Sequence, residues 1–559
     1  MTQRLQDWVT LQAERRPDGC AIVLGRHRIT YGELEEESNR LARALKVAGC
    51  KRGDRVALLL PKSIEALVAM FAALKADCIY VPLDPTSPAA RLAQILHICE
   101  SRCLLAVEST AARLKDIGED DILLEFPRIG WMDDGSNLDC AMETEFSRDD
   151  VRRLSGSAVD SLNSDSDPAH ILFTSGSTGV PKGVVITHSN VIHFVDWAIR
   201  TFGIDPSDRI SGHAPLYFDL STFDIYGSVA AGAQLHLVPP ELSLLPHRLA
   251  AFIRESALTQ WFSVPSVLNH MAKCDVVGWN DFPALERLLW CGEKFPTPAL
   301  IYWMRRLPKV SFVNLYGPTE TTIASSYYRV PCCPEDDVAE IPIGGPCEGE
   351  QLLVLDEQHR PVAPGEVGDL YIAGLGLSPG YWRDPKKTEE VFLTSPYGSD
   401  PSDRIYKTGD LARIGSDRLI YLVGRSDSQI KSRGYRIELG EIETAVHAVP
   451  GVQEAAVVAL DTTGFEGTAI CCAYVPLAGS ALSPLTLKKH LAGVLPHYML
   501  PVHWMVLDWM PLNGNGKADR RWVKQRFCEP ASLAAQEAGR ERQVLRTRVT
   551  KSDTPAIQA

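Results

Sequence analysis

The stretch FTSGSTGVPKG, residues 173–183, contains three glycines, four hydroxyl side chains and one lysine. Glycine lets the backbone approach a ligand closely. Backbone amides, hydroxyls and an ammonium together suit the anionic oxygens of a polyphosphate. The stretch therefore predicts a phosphate-binding loop. Its phosphate-binding residues would be Thr174, Ser175, Gly176, Ser177, Thr178, Gly179 and Lys182.

The pattern differs from the common phosphate loop G-x-x-x-x-G-K-[ST], which opens a helix. Here Lys182 follows Pro181 and precedes Gly183, and short apolar runs flank the loop at 170–173 and 184–187. Such runs favour a strand on each side, so the phosphates would not lie on a helix N-terminus. The alternative is a flexible hydroxyl-rich turn, and the loop alone indicates a nucleotide without indicating the reaction.

Composition narrows the class of protein. The chain has 559 residues, of which 45% are hydrophobic and 23% charged, as expected for a soluble globular protein with more than one core. A net charge of −13 disfavours nucleic-acid binding, which needs a concentrated basic face. The longest apolar stretch is interrupted by Lys75 and Asp77, and the N-terminus has no apolar leader. We expect a cytoplasmic protein that binds neither nucleic acid nor membrane.

Helical and strand-like patterns alternate along the N-terminal part, as in TYGELEEESNRLARALKVAGCKRGDRVALLL (30–60) and SIEALVAMFAALKADCIYVPLDP (63–85). This alternation predicts an α/β fold with parallel strands. Residues 1–424 would form a large core of layered α/β subdomains, and 425–527 a small mobile α+β domain. We expect residues 528–559 to be a disordered tail and the Ser- and Asp-rich stretch 132–167 to be a mobile loop or insertion.

Further motifs follow the loop signature FTSGSTGVPKGVVITH in a specific order. They are TYGELEEESNRLARAL (30–45), LKADCIYVPLDP (74–85), NLYGPTETT (314–322), GDLYIAGLGLSPGYW (368–382), YKTGDLARI (406–414), GRSDSQIKSRGYRIELGEIE (424–443) and NGNGKADR (513–520). Together they resemble the adenylate-forming enzyme superfamily, which includes acyl- and aryl-CoA synthetases, luciferases and adenylation domains of nonribosomal peptide synthetases. The resemblance covers residues 5–525 and implies ATP and Mg²⁺ as cofactors.

The resemblance also implies roles for single residues. Lys517 would be the catalytic lysine that bridges the substrate carboxylate and the α-phosphate, and Lys182 a helper that orients the departing pyrophosphate. Glu320 would bind Mg²⁺, and Asp427 would be the hinge of the small domain. The nucleotide-binding residues would be Gly292, Asn314, Tyr316, Gly317, Thr319, Asp410 and Arg425.

Within that set, Tyr316 would stack on adenine with Asn314 at the base edge, and Asp410 would accept both ribose hydroxyls. One position departs from the family pattern. Leu422 stands where relatives often carry an aromatic residue, which puts a ribose contact at that position in doubt.

The segment YFDLSTFDIYG, residues 217–227, bears on the substrate. In amino-acid-activating relatives the position of Asp219 pairs with the α-ammonium, and a buried carboxylate calls for such a cation. None of the residues expected to form the wall is charged, so we expect a small neutral amino acid of alanine or proline type. The wall residues would be Leu220, Phe223, Ser263, Leu289, Cys291, Leu315, Ile323 and Ala324.

The resemblance further implies transfer of the aminoacyl group to the phosphopantetheine thiol of a carrier protein. We expect a stand-alone enzyme with a separate carrier, since the residues after Phe527 are too few for a carrier domain. The segment KSRGYRIELGE, residues 431–441, would face the thiol arm after the small domain rotates. Two alternatives remain: an acyl- or aryl-CoA ligase of the same superfamily, and a non-catalytic carrier-binding scaffold.

Overall fold

The computed structural model describes residues 4–120, 122–123, 125–133, 144–176, 179–398, 400, 403–462, 468–480, 482–513 and 517–529. Ser177 and Thr178 of the predicted phosphate loop therefore lie outside the described residues, as does the predicted tail from residue 530 onward.

The helices within these ranges fall along the whole chain. They are α1 (Asp7–Arg15), α2 (Tyr31–Val47), α3 (Ile64–Lys75), α4 (Ala89–Cys99), α5 (Ala111–Gly118), α6 (Arg148–Arg152), α7 (His188–Phe202), α8 (Asp219–Ala231), α9 (Pro246–Glu255), α10 (Pro265–Lys273), α11 (Thr297–Arg306), α12 (Pro385–Val391), α13 (Leu439–His447), α14 (Pro484–Ala492) and α15 (Arg520–Cys528).

The strands alternate with these helices. Up to Ser263 they are β1 (Cys20–Leu24), β2 (His27–Thr30), β3 (Arg55–Leu59), β4 (Ile79–Pro82), β5 (Cys103–Ala106), β6 (Arg128–Trp131), β7 (Thr144–Phe146), β8 (Pro168–Thr174), β9 (Lys182–Thr187), β10 (Arg209–Gly212), β11 (Gln234–Leu237) and β12 (Gln260–Ser263). Beyond it they are β13 (Arg287–Trp290), β14 (Ser311–Tyr316), β15 (Ser326–Arg329), β16 (Gly345–Pro346), β17 (Glu350–Leu355), β18 (Val367–Gly374), β19 (Gly380–Tyr381), β20 (Phe392–Thr394), β21 (Arg404–Ile414), β22 (Ile420–Arg425), β23 (Gln429–Ser432), β24 (Tyr435–Glu438), β25 (Val452–Asp461), β26 (Thr468–Pro476) and β27 (His503–Val506).

Two large sheets carry the N-terminal part. One has the strand order β16-β15-β14-β13-β12-β10-β11-β1-β2, and the other β19-β9-β8-β4-β3-β5-β6-β7. The predicted parallel strands are confirmed, because β3 pairs in parallel with β4 and β5, and β10 to β14 form a parallel run. A smaller antiparallel sheet of β17, β18, β20, β21 and β22 follows.

Helices α3, α7 and α8 lie between the two large sheets. α3 contacts β1 of one sheet and β3 and β4 of the other, while α7 contacts β9 and packs on α8, which in turn lies on β10 and β11. A helix covered on both sides needs apolar residues around its whole circumference. α3 meets this requirement, since IEALVAMFAALK is buried from Ala66 to Lys75. The mixed α/β fold with a large N-terminal core is therefore confirmed.

The C-terminal part has its own interior. Its strands form a two-stranded sheet of β23 and β24 and a three-stranded sheet of β25, β26 and β27. Helices α13 and α15 pack on β25, and α14 packs on α13. Its two hydrophobic clusters draw on residues from Ile430 to Phe527. The smaller α+β unit is thus confirmed, and this separation of cores supports our proposal of a boundary near residue 425.

The sequence predicts a mobile loop or insertion at 132–167, and the described residues of this stretch, 132–133 and 144–167, include regular elements. β7 adds a strand beside β6, and α6 follows it directly. The next residues are held by Asp77, whose Oδ1 accepts hydrogen bonds from the Ser161 hydroxyl and the Leu162 and Asn163 amides at 2.5, 2.8 and 3.1 Å. Distant polar side chains thus satisfy this backbone in place of a local apolar core.

Replacing Asp77 with glycine should loosen this stretch. Glycine tolerates the left-handed backbone found there (φ 62°) but removes every acceptor, so the free energy of unfolding should fall by about 1–3 kcal/mol. Limited proteolysis should then cut within 155–167. Asp77→Asn keeps Oδ1 and serves as the control, and equal resistance of the glycine variant would show that Asp77 does not hold the stretch.

Candidate active site

One cavity opens where the carboxyl ends of β13 and β14 meet the loop after β8, a usual location of ligand sites in parallel sheets. Its volume is about 110 Å³, well below the roughly 300–1,000 Å³ typical of small-molecule sites. The small domain closes it from one side. The lining residues are Leu172–Ser175, Tyr217–Leu220, Cys291, Gly292, Gly317–Thr319, Thr408, Asp410, Arg425, Gln429, Lys431, Gly434–Arg436 and Tyr498.

The predicted phosphate loop joins β8 to β9, which pair antiparallel, so the predicted strands on both sides are confirmed. The Ser175 hydroxyl donates to the Arg436 carbonyl at 2.7 Å and accepts from the Glu438 amide. The Gly176 amide donates to Glu441 Oε2 at 3.2 Å. Donors expected for phosphate are therefore engaged by the small domain in this orientation.

Glu320, the expected Mg²⁺ ligand, is fully buried beside this loop. Its Oε1 accepts a hydrogen bond from the Tyr381 hydroxyl at 2.7 Å, and its Oε2 pairs with Arg436 at 2.5 Å. Burial alone would raise the pKa of Glu320, but the charges of Arg436 and Lys182 outweigh burial and lower the pKa to about 2. The carboxylate is thus ionised, as a cation ligand requires.

The expected ribose and adenine residues form one network. Asp410 accepts hydrogen bonds from the Tyr316 hydroxyl and from Arg425, each at 2.5 Å, and Arg425 also pairs with Asp427 at 2.7 Å. Burial is the first cause that raises the pKa of Tyr316, and the negative charge of Asp410 adds to it. The Lys431 ammonium lies over the Tyr316 ring, 5.5 Å from its centre.

Asn314 does not line the cavity. Its amide nitrogen donates to the Pro342 carbonyl at 2.8 Å. Gly292, Gly317 and Thr319 do line it. Of the expected nucleotide residues, neither Asn314 nor Tyr316 lines the cavity, and the other five do.

Asp219 lies at the first turn of α8 and lines the cavity. The Thr319 hydroxyl donates to its Oδ2 at 2.8 Å. Burial raises the pKa of Asp219 to about 6, against the opposing effects of Thr319 and the Leu220 amide. Among the described residues no Lys, Arg or His forms a salt bridge with it, so the carboxylate lacks a direct cationic partner.

The expected wall residues come together below Asp219. All eight are buried, and all except Ser263 belong to one hydrophobic cluster. Only Leu220 and Cys291 line the cavity itself. The Cys291 thiol donates to the Ile323 carbonyl at 3.9 Å, which links the residue after β13 to the connection between β14 and β15.

A strained turn connects the wall to Glu320. Thr322 and Ile323 have φ of 59° and 71°, in the left-handed region that a β-branched residue such as isoleucine rarely adopts. Strain of this kind persists where the surroundings determine the conformation, and it is concentrated at functional sites. Because of this backbone conformation, one short segment directs Glu320 to the phosphate loop and Ile323 to the wall.

Lys517, the expected catalytic lysine, is exposed and does not line the cavity. Its backbone exchanges hydrogen bonds with Asn513 on the surface of the small domain. The face of the small domain toward the cavity is instead formed by β23, β24 and Tyr498. Part of the KSRGYRIELGE segment therefore lines the cavity, and its contact with a thiol arm stays a prediction.

Several cavity contacts were not singled out from the sequence. Arg436 reaches Glu320, Glu441 reaches the loop, and Glu293 accepts hydrogen bonds from the Gly434 and Ser266 amides at 2.7 and 3.0 Å. The sequence shows the motif that contains Arg436 and Glu441. It does not show the partners of these two residues, because each partner lies more than one hundred positions away.

The side chains at the cavity fit a magnesium ion that is held mainly by the phosphates of a bound substrate. Within the described ranges no group of three or more His, Cys, Asp or Glu side chains could hold a metal ion. Mg²⁺ is commonly bound through one or two carboxylates together with substrate phosphates. Glu320, buried, ionised and next to the loop, suits that arrangement.

A sheet-end cavity with a glycine-rich loop, an ionised carboxylate and a closing small domain defines a nucleotide-dependent ligase. Residues 9–382 match the AMP-binding enzyme family and residues 441–517 its C-terminal domain. The chain belongs to this family. No helix in the described part of the chain is long and apolar enough to cross a membrane.

Similar proteins agree with that assignment. Tyrocidine synthase 3 of Brevibacillus parabrevis is 34% identical over 91% of this chain, which spans only 7% of that protein. The fused adenylation-PCP di-domain NpsA-ThdA from Klebsiella oxytoca has a TM-score of 0.75 at 26% identity, covering 90% of this chain and 93% of the other. The Vibrio cholerae adenylation domain AlmE, solved with glycyl-adenosine-5'-phosphate, shares the fold with a TM-score of 0.81 at 24% identity, covering 94% and 98%.

Gly176→Ala should disrupt the loop. A Cβ at this position would lie 2.0 Å from the Val180 carbonyl oxygen, so the loop backbone would have to open. We expect nucleotide affinity, measured by calorimetry, to fall on the order of tenfold. Gly345→Ala is the control, since its Cβ would meet open space. Unchanged affinity in Gly176→Ala would separate the loop from nucleotide binding.

Proposed function

We propose that the protein activates a small neutral amino acid, of alanine or proline type, to aminoacyl-AMP with release of pyrophosphate. The aminoacyl group then passes to the phosphopantetheine thiol of a carrier protein. The observation that carries the proposal is Asp219, a carboxylate without a salt-bridge partner among the described residues, placed between the nucleotide residues and an uncharged wall.

Asp219 favours an amino acid over a simple carboxylic acid. A carboxylate that burial destabilises gains most from a fixed cation, and the α-ammonium of an amino acid supplies one. A fatty or aryl acid would leave Asp219 unpaired. The wall then limits the side chain, since the residues below Asp219 are neutral and closely packed.

The nucleotide side of the cavity supplies charge and orientation. The loop amides and Lys182 would hold the phosphates that leave, while Asp410 would accept the ribose hydroxyls once Tyr316 and Arg425 release it. A magnesium ion on Glu320 would neutralise phosphate charge when bound. Preorganised donors and fixed charges of this kind stabilise a transition state in which negative charge shifts between oxygens.

The catalytic lysine requires a second orientation of the small domain. Lys517 is exposed here, and the cavity is too small for ATP while Arg436 and Tyr435 line it. We propose that rotation about Asp427 withdraws β24 and brings Lys517 to the substrate carboxylate and the α-phosphate. Asp427 sits between β22 of the large core and β23 of the small domain, as a hinge should.

The orientation described here would serve the transfer step. A second cavity of about 780 Å³ lies outside the first, and Lys431 lines both. It runs between α10, α11 and the small domain, with Asn269, Lys273 and Tyr302 on its wall. We propose that the thiol arm of the carrier enters by this route. That the carrier is a separate protein remains a prediction.

ATP–pyrophosphate exchange with a panel of amino acids and matched acids that lack the amine tests the proposal. We expect exchange with one or a few small neutral amino acids and none with the deaminated acids. Exchange supported only by acids that lack an amine would establish the CoA-ligase alternative. Absence of exchange with every compound would favour the non-catalytic scaffold.

Asp219 predicts a dependence on pH. Its pKa of about 6 means that the carboxylate loses its charge as the pH falls through 6, and with it the attraction for the ammonium. We expect kcat/KM for the amino acid to fall up to tenfold per pH unit below pH 6. Asp219→Asn should be slow and lack this inflection. A wild-type profile that is flat from pH 5 to 7 would contradict the assignment.

Lys517→Ala should remove most adenylate formation, on the order of 10²–10³-fold in exchange rate, because one preorganised charge is lost from the transition state. ATP binding should remain detectable, since the loop and Asp410 are untouched. Lys524→Ala, which removes another exposed lysine of the small domain, is the control. Wild-type exchange rates in Lys517→Ala would rule out its catalytic role.

A further inference from the structure

Three buried cysteines, Cys50, Cys78 and Cys103, form a trio on one face of the sheet that contains β3. Cys78 precedes β4, Cys103 begins β5, and Cys50 lies in the connection from α2 to β3. Only 5% of Cys50 is exposed, and the other two are fully buried. All three belong to the hydrophobic cluster around α3, whereas Leu104 of β5 belongs to the cluster on the other side of the sheet. The three thiols therefore lie on the same side.

The strand register sets the separation of Cys78 and Cys103. Val56 of β3 pairs with Cys103 on one side and with Tyr80, the second residue after Cys78, on the other. With strands about 4.8 Å apart and a rise of about 3.3 Å per residue, the Cα atoms of Cys78 and Cys103 are about 12 Å apart. A disulfide needs Cα atoms within about 7 Å, so these two cysteines cannot bond to each other without backbone movement.

Cys50 lies between the other two members of the trio. Its sulfur forms hydrogen bonds with the thiols of both Cys103 and Cys78. The Cys78 thiol also donates to the carbonyl of Lys51, the residue next to Cys50, at 3.6 Å. Lys51 and Arg52 are exposed, so Cys50 lies directly beneath the surface. Within the trio, Cys50 is thus the member that can bond to either of the others.

The hydrogen bonds also distinguish Cys50 chemically. Donation by Cys103 and Cys78 lowers the pKa of Cys50, and Arg102 adds to this effect, while burial and Asp54 oppose it. The same contacts, together with burial, raise the pKa of Cys78 and Cys103. The thiolate is the form of cysteine that attacks an oxidant, so the arrangement favours Cys50 as the nucleophile.

We propose that the trio is a site of reversible oxidation by hydrogen peroxide, at which Cys50 reacts first and either neighbour completes a disulfide. The Cys50 thiolate attacks one peroxide oxygen, the O–O bond breaks, and Cys50 becomes a sulfenic acid while the hydroxide takes up a proton and leaves as water. The sulfur of Cys78 or Cys103 then attacks the Cys50 sulfur. The S–O bond breaks, and a second water leaves with the proton of the attacking thiol. Two thiols are oxidised, and one peroxide is reduced to two waters.

The disulfide would act on the stability of the large core. The trio lies at the amino ends of β3, β4 and β5, whereas the phosphate loop follows the carboxyl end of β8, which runs parallel to β4. The bridge would therefore tie the connection after α2 to the sheet beneath α3, at the end of the sheet opposite the loop. A cross-link of this kind stabilises a fold mainly by restricting the unfolded chain.

Disulfide mapping by peptide mass spectrometry on the full chain tests the proposal. After a pulse of hydrogen peroxide, free thiols are alkylated under denaturing conditions and the protein is digested without reductant. We expect a disulfide that joins Cys50 to Cys78 or to Cys103 and that dithiothreitol reverses. A bridge between Cys78 and Cys103, or a Cys50 thiol that stays as free as that of the buried Cys99 of α4, would overturn the proposal.

Serine variants separate the roles of the three cysteines. Cys78→Ser and Cys103→Ser should each keep the other bridge to Cys50, and Cys50→Ser should form neither. The double variant Cys78→Ser/Cys103→Ser should hold Cys50 as a sulfenic acid, which dimedone labels. Cys99→Ser changes a buried cysteine on the other side of the sheet and should oxidise like wild type. A double variant without the dimedone label on Cys50 would contradict its role as nucleophile. The wild-type mapping does not depend on these variants folding.

Thermal unfolding of the bridged and the dithiothreitol-reduced wild-type protein measures the consequence for stability. We expect the bridged protein to unfold at a midpoint a few degrees higher. Cys50→Ser, treated in the same way, should show no such difference. Equal midpoints for the two wild-type forms would contradict the stabilising role of the bridge.

Discussion

The ion pair between Arg436 and Glu320 fixes the arrangement of the active site. Glu320 belongs to the large core, Arg436 to the small domain, and neither charge is tolerable in its buried position without a partner. Its formation places β24 against the loop, Glu441 against Arg91 and Gly434 against Glu293. The small cavity and the exposed position of Lys517 follow from this one choice of orientation.

The same pair explains why the small domain can leave. A buried ion pair contributes little net stability, because desolvation offsets most of the attraction. Gly434 adds a steric condition, since a Cβ there would lie 2.6 Å from Val264.

Much of this arrangement could be predicted from the sequence. The loop, its two strands, the α/β core and the separate C-terminal unit each leave a local pattern, and the order of motifs identified the family. Asp219 and the wall were predictable for the same reason. The cross-domain contacts were not, because Arg436 and Glu320 lie in different motifs and no local pattern links them. The contacts of the stretch around Ser161 were not predictable either, because its partner Asp77 lies more than eighty residues earlier in the chain.

The most direct test of the account measures the orientation of the small domain. Spin labels on the exposed Cys274 and Cys528, with other accessible cysteines replaced by serine, report the distance between the large core and the small domain. Without ligand, the distance distribution should match the orientation described here. Addition of Mg²⁺, ATP and an amino acid that supports exchange should produce a second distance. A single unchanged distribution in an enzyme that is active in exchange would contradict the account.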